Sequence, residues 1–168
     1  MILPILALYW RGKGVIGSVV RHASSSQWGH IGIGGFHIDG KLCYFDTLPG
    51  KGFGIREWDE PNHKGLFHGI QETGLFWNDP LLSYIEARLT GSKYSYLNGI
   101  LAAFGKQPME PKTRPYRLQC AQVAEWILTM AGLSIPSNFI PEPQGIANEI
   151  ERITGHPVKR LFEKGEKE

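Results

Sequence analysis

Cys120 stands in the run Leu118-Gln119-Cys120-Ala121-Gln122-Val123-Ala124-Glu125-Trp126-Ile127-Leu128, and His30 heads the run His30-Ile31-Gly32-Ile33-Gly34 far upstream. The spacing of the first run predicts a helix with Cys120 in its opening turn. A thiol there feels the positive end of the helix dipole, which lowers its pKa and raises the fraction present as thiolate. An imidazole on a neighbouring strand could take the thiol proton, a pairing defined by geometry rather than by order in the chain. The chemistry expected of such a pair is that of a cysteine hydrolase or acyl transferase.

A third group should orient the imidazole by accepting its second N–H, and Asp46 is the candidate. If Ile38-Asp39-Gly40 forms a three-residue hairpin loop, His37 faces Lys41 and Gly32 faces Asp46, which puts Asp46 on the His30 face and diagonal to it. If the loop is Asp39-Gly40 alone, the register moves by one and Thr47 takes that face. His37 is a further alternative, but its odd spacing from His30 demands a bulge at Gly34-Gly35 to turn it inward.

Each feature also has a plainer reading. Positions 120, 123, 127 and 130 or 131 make one apolar stripe, so Cys120 points inward, and an inward cysteine often serves as a small buried hydrophobe. Gly12-Lys13-Gly14-Val15-Ile16-Gly17 follows a strand and matches a dinucleotide-binding fingerprint with Asp39 downstream. The parallel crossover which that fingerprint requires is not visible, because Asp39 enters an Asp-Gly hairpin. A zinc site from His30, His37, Cys43 and Asp46 matches no common ligand spacing. No metal and no cofactor is expected.

The elements that must position the pair follow from periodicity. Residues 5–10 read as a strand and Gly14 to His22 as a short helix or turn. From His30 to Trp58, short apolar runs broken by Asp39-Gly40, Pro49-Gly50 and Gly52 predict an antiparallel meander, with another strand at Leu66 to Ile70. At Asp79-Pro80, read as an N-cap and its proline, the period turns helical through Leu81, Leu82, Ile85 and Leu89. Further helices are expected from Tyr94, from Cys120 to Gly132, and from Gln144 to Ile153. Strands first and helices second give an α+β fold. Residues 1–158 form one domain, and 159–168 a charged, frayed tail. Trp58, Phe76 and Trp77 either line a cleft or fill a core.

The 168 residues, 42% of them hydrophobic and 11% aromatic, suit a single domain with a sizeable core. A net charge of +2 and a pI near 8.5 come from scattered Lys and Arg, so nucleic acid is not expected as a partner. Two cysteines make no disulfide framework and fit a reducing compartment. The apolar start from Met1 to Trp10 lacks a basic lead, is interrupted by Pro4 and is too short to span a bilayer, so no transmembrane segment and a cytoplasmic site of synthesis are expected. Oligomeric state is not legible.

Taken in order, a small residue then His30-Ile31-Gly32-Ile33, the strand end Tyr44-Phe45-Asp46, Gly91-Ser92-Lys93-Tyr94-Ser95-Tyr96, and Gln119-Cys120-Ala121-Gln122-Val123-Ala124 resemble the NlpC/P60 superfamily. Histidine before cysteine resembles its circularly permuted, papain-like branch, which includes the YiiX-like proteins and, more remotely, the lecithin:retinol acyltransferases. The likeness spans about residues 12–132. It implies a papain-like fold with an antiparallel sheet packed on helices, Cys120 as nucleophile, His30 as general base and Asp46 as the third member. Tyr94 and Gln119 would serve the oxyanion or the substrate, along with backbone N–H groups at the helix start. Asp46 stands where relatives often show Glu or His, and Trp28-Gly29 before the histidine is also a departure. The family cleaves peptide or isopeptide bonds in peptidoglycan, and the permuted branch includes enzymes acting on lipid acyl groups. A peptide, amide or acyl substrate is therefore implied, with delivery by a phage particle or secretion machine as a route out of the cell.

Overall fold

Strand β1 (Pro4–Trp10) is buried on both faces from Ile5 onward, with only Leu6 partly covered, because it sits inside a six-stranded antiparallel sheet. The computed structural model describes residues 3–11, 26–58, 68–136 and 138–161. The Gly12 to Gly17 fingerprint, the Gly14 to His22 segment and the first two residues of the expected Leu66 to Ile70 strand lie outside the described residues. The other strands are β2 (His30–Ile38), β3 (Lys41–Leu48), β4 (Gly52–Glu57), β5 (Gly69–Phe76) and the short β8 (Lys159–Arg160), in the order β4-β3-β2-β1-β5-β8. A two-stranded parallel ladder joins β6 (Lys93–Tyr94) to β7 (Arg117–Leu118). Helices α1 (Asp79–Leu89), α2 (Tyr96–Ala103), α3 (Cys120–Met130) and α4 (Pro143–Thr154) complete an α+β fold.

Of the two hairpin loops open between β2 and β3, the chain adopts the two-residue one. Ile38 pairs with Lys41, so the loop is Asp39-Gly40, and both residues take the positive φ (51° and 79°) that the tight, twist-compatible turn needs. Continued unbroken, that register would set Gly32 against Thr47. It does not continue: Gly35, at φ 99°, forms a bulge, after which Gly34 faces Tyr44 and Ile33 faces Phe45. A Cβ at Gly35 would collide with the Pro4 carbonyl, so glycine is required there by space as well as by φ. The bulge returns the strand to the phase that puts Asp46 beside Gly32. His37 stays exposed despite it.

Two-residue alternation gives the sheet two apolar faces. Ile5, Ala7, Tyr9, Ile31, Ile33, Cys43 and Phe45 belong to the main core, together with Cys120, Val123 and Ile127 of α3 and Ile146 and Ile150 of α4. Leu8, Trp10 and Tyr44 form a second cluster, with Leu6, Trp58 and Ile70 packed on it. Trp77 fills the core and donates its indole N–H to Gly34 O at 2.9 Å, whereas Phe76 is exposed.

Several boundaries differ from expectation. The cap of α1 is Asn78, whose Oδ1 accepts from Leu81 N at 2.9 Å, so Asp79 and Pro80 lie inside the first turn. Strand β5 runs on to Phe76 because Gln71, a polar residue, is buried and satisfied: its Oε1 accepts from Tyr9 OH at 2.6 Å and its Nε2 donates to Ala147 O at 2.9 Å. Lys159 and Arg160 do not fray; they pair with Ile70 and Gly69.

Candidate active site

The end of the sheet where β2 begins, β3 finishes and β4 starts collects the candidate residues. At β4, Phe53 N–H donates to Ser92 O at 2.9 Å, and a Cβ on Gly52 would strike that same carbonyl, so the chain entering β6 lies hard against the sheet. Tyr94 of β6 then pairs with Leu118 of β7, and Lys93 N–H donates to Tyr116 O at 2.7 Å. Leu118 is followed directly by Gln119 and Cys120. A short ladder thus carries the start of α3 to Tyr94.

The α3 start is held by reciprocal capping. Gln119 Oε1 accepts from Ala121 N at 2.8 Å, and Gln122 Oε1 accepts from Gln119 N at 3.2 Å. Asn98 Nδ2 reaches Gln122 Oε1 at 2.9 Å, tying α2 to the cap. Gln119 Nε2 donates to Pro141 O at 2.5 Å, so both polar atoms of this side chain are already used in holding the turn. The Ala121 N–H, one of the donors expected for an oxyanion, is used by the cap as well. Cys120 Sγ lies 3.6 Å from Gln119 Oε1, and the residue is 5% exposed. Burial, then the neighbouring Cys120 and Tyr96, push the Tyr94 phenol above its ordinary range, so it stays a neutral O–H donor. Cys43 differs: it donates to Lys41 O at 3.4 Å on β3, and burial raises its pKa.

On the sheet, His30 and Asp46 are joined. His30 Nε2 is 3.3 Å from Asp46 Oδ2, and both side chains are fully buried. Arg56 Nε donates to Asp46 Oδ1 at 2.8 Å, which pairs a carboxylate that burial would otherwise penalise heavily. Because a carboxylate only accepts, the proton belongs on Nε2 and the lone pair on Nδ1. Among the described residues, His30 Nδ1 is buried with no hydrogen-bond partner. Trp10 packs on the imidazole with ring centres 5.1 Å apart. Thr47 Oγ1 is another buried polar atom without a partner among the described residues, on the opposite face from Asp46.

Sequence reasoning missed Arg56. Its signal was its position across from Tyr44 and diagonal to Asp46, legible only once the β3–β4 register is known. The four candidate zinc residues do not converge: Cys43 faces the main core and His37 is exposed, and no cluster of metal-binding side chains occurs among the described residues.

The site therefore comes as two halves. Cys120, Tyr94 and Gln119 form one, His30, Asp46 and Arg56 the other, and both lie at the same end of the sheet. By strand alternation the imidazole shares its face with Trp10 and Tyr44, while Cys120 is built into the core on the other face. Thiol and Nδ1 are not hydrogen-bonded, and the halves can meet only around the sheet end, where His30 is the first residue of β2 and Cys120 the first of α3. Among known proteins, neither a family model nor a curated sequence matches the chain.

Proposed function

We propose that the protein is a cysteine hydrolase of papain-like type, cleaving a peptide or amide bond through a thioester on Cys120. The observation that carries this reading is the buried His30–Asp46–Arg56 chain, which favours the imidazole tautomer protonated on Nε2 and leaves Nδ1 an acceptor with no partner among the described residues. A buried acceptor without a partner costs about 1–3 kcal/mol, and such a cost is commonly retained for function.

In the proposed cycle, which requires His30 and Cys120 to meet around the end of the sheet, Nδ1 of His30 takes the proton from Cys120 Sγ and the thiolate attacks the carbonyl carbon. The oxyanion is stabilised by the positive end of the α3 dipole and by the O–H of Tyr94. The imidazolium, held by Asp46, returns its proton to the leaving amine, whose bond to carbon breaks. Water, deprotonated by His30, then opens the thioester, releasing the acid and the thiol. Gln119 positions the nucleophile by capping α3. A cell-wall peptide fits this chemistry and would require delivery outside the cytoplasm, while an ester or acyl acceptor would turn the same steps into acyl transfer.

A second reading, a binding domain with an inert cysteine, is favoured by the burial of Cys120 and by the missing bond between Nδ1 and the thiol. Mass spectrometry after incubation with peptidoglycan stem peptides and acyl lipids separates the two. The hydrolase reading expects an acyl adduct on Cys120 and none in Cys120→Ala, with product formation lost in that variant. Turnover that survives Cys120→Ala would overturn it.

A further inference from the structure

Helix α2 leaves its apolar side chains in water. Tyr96, Leu97 and Ile100 are each about half exposed, Phe104 at the helix end is 65% exposed, and Met109 in the following loop is 57% exposed, whereas Asn98, Ala102 and Ala103 are the residues turned inward. Large apolar side chains clustered on one short helix mark a binding surface rather than scattered exposure. The charge along this segment is predominantly positive. Between residues 91 and 117 stand Lys93, Lys106, Lys112, Arg114 and Arg117, all exposed, against a single acid, Glu110. Lys93, Lys106, Lys112 and Arg117 form no ion pair among the described residues. A groove of about 470 Å³ runs beside the helix, lined by Tyr94, Tyr96, Leu97, Met109, Lys112 and Arg117 among others.

We propose that the exposed face of α2, with the basic segment after it, docks on an anionic lipid surface. Phe104, Ile100, Leu97 and Met109 would enter the boundary between headgroups and acyl chains, and the lysines and arginines would engage phosphates around them. A protein interface would be expected to carry charges of both signs at its rim and few Lys at its core. Here the exposed apolar side chains share one segment with five cations and one acid, and the groove beside them is lined by Lys112 and Arg117 with Glu110, a net positive balance that complements an anionic bilayer. No helix of the described residues is long and apolar enough to cross a membrane, so the contact is made at the surface. The inference stands apart from the catalytic reading, since Cys120→Ala should dock as the wild type does.

Flotation of the whole protein with vesicles of phosphatidylcholine alone, and with about a third phosphatidylglycerol added, tests it, because the anionic leaflet supplies the attraction. The protein should float with the anionic vesicles and not with the neutral ones, and should be released at about 1 M salt, where the screening length falls to about 3 Å. Lys106→Gln and Lys112→Gln should each weaken partitioning about fivefold, the loss expected for one interfacial cation. Ile100→Asp with Phe104→Asp should abolish it while thermal unfolding stays cooperative. Partitioning that is absent, indifferent to lipid charge, or unchanged in these variants would overturn the proposal. So would a concentration-dependent dimer lost in Ile100→Asp without vesicle binding, which would assign the face to a second copy of this chain.

Discussion

Asp46 holds two partners with its two oxygens, and that division of labour sets what substitutions should do. Asp46→Asn keeps the shape but offers an amide N–H2 to Nε2, which favours the tautomer with its proton on Nδ1, the wrong nitrogen for taking one from a thiol. Turnover should fall by roughly a hundred- to ten-thousand-fold with substrate affinity little changed, read from kcat and KM separately. Equal loss of folding and activity would instead make Asp46 structural. Away from the site, Glu125 on α3 has its pKa pushed up to about 7, chiefly by burial and then by Glu110. Its folded pKa lies above the ordinary carboxylate value of 4.5, so the unfolded chain loses its proton first and stability falls as pH rises from there to about 7. Glu125→Gln should flatten that slope, gaining about 1 kcal/mol at pH 8 once water screening of this partly buried group is allowed for. Denaturant melts across pH provide the check.

The element that decides the site is the β2–β3 hairpin. Its register places Asp46 rather than Thr47 on the His30 face only because the bulge at Gly35 cancels the shift introduced by the two-residue turn. Gly35→Ala, which forces a Cβ against the Pro4 carbonyl at φ 99°, should cost at least about 2 kcal/mol and slow turnover beyond what lost stability explains. A variant with unchanged melting and activity would show that the bulge is incidental. The pairing of His30 with Asp46 was legible in the sequence, but through a loop length that the chain does not adopt. The bulge itself could be suspected from Gly34-Gly35, yet a bulge needs a partner strand to define it. Helix α3 was read nearly to its ends, since an apolar stripe and Gly132 mark it without help from the rest of the chain. Strand β5 was cut short because a buried glutamine reads as surface until the tyrosine that satisfies it is known.

At the scale of the molecule, the sheet is apolar on both sides, and this is the property that local pattern could not supply. A strand such as β1, with Leu8 and Trp10 buried as well as Ala7 and Tyr9, shows no polar face from which to tell one side of the sheet from the other. Cys120 was predicted inward and does join the main core, yet the His30 side chain lies with Trp10 on the other face of the sheet. Arg56 went unnoticed for a related reason: an arginine in a strand reads as solvated until a buried carboxylate is found beneath it. The two halves of the site share one end of the sheet, and the account requires them to act as a pair.

The most direct measurement is the rate of iodoacetamide alkylation at Cys120 against pH, resolved from Cys43 by peptide mass spectrometry, in the wild type and in His30→Ala. The account predicts that Cys120 reacts with an apparent pKa well below the free thiol value of about 8.5, that this value rises in His30→Ala, and that Cys43 reacts only at higher pH. A Cys120 that stays unreactive while the protein is folded, or whose profile is the same with and without the imidazole, would contradict it.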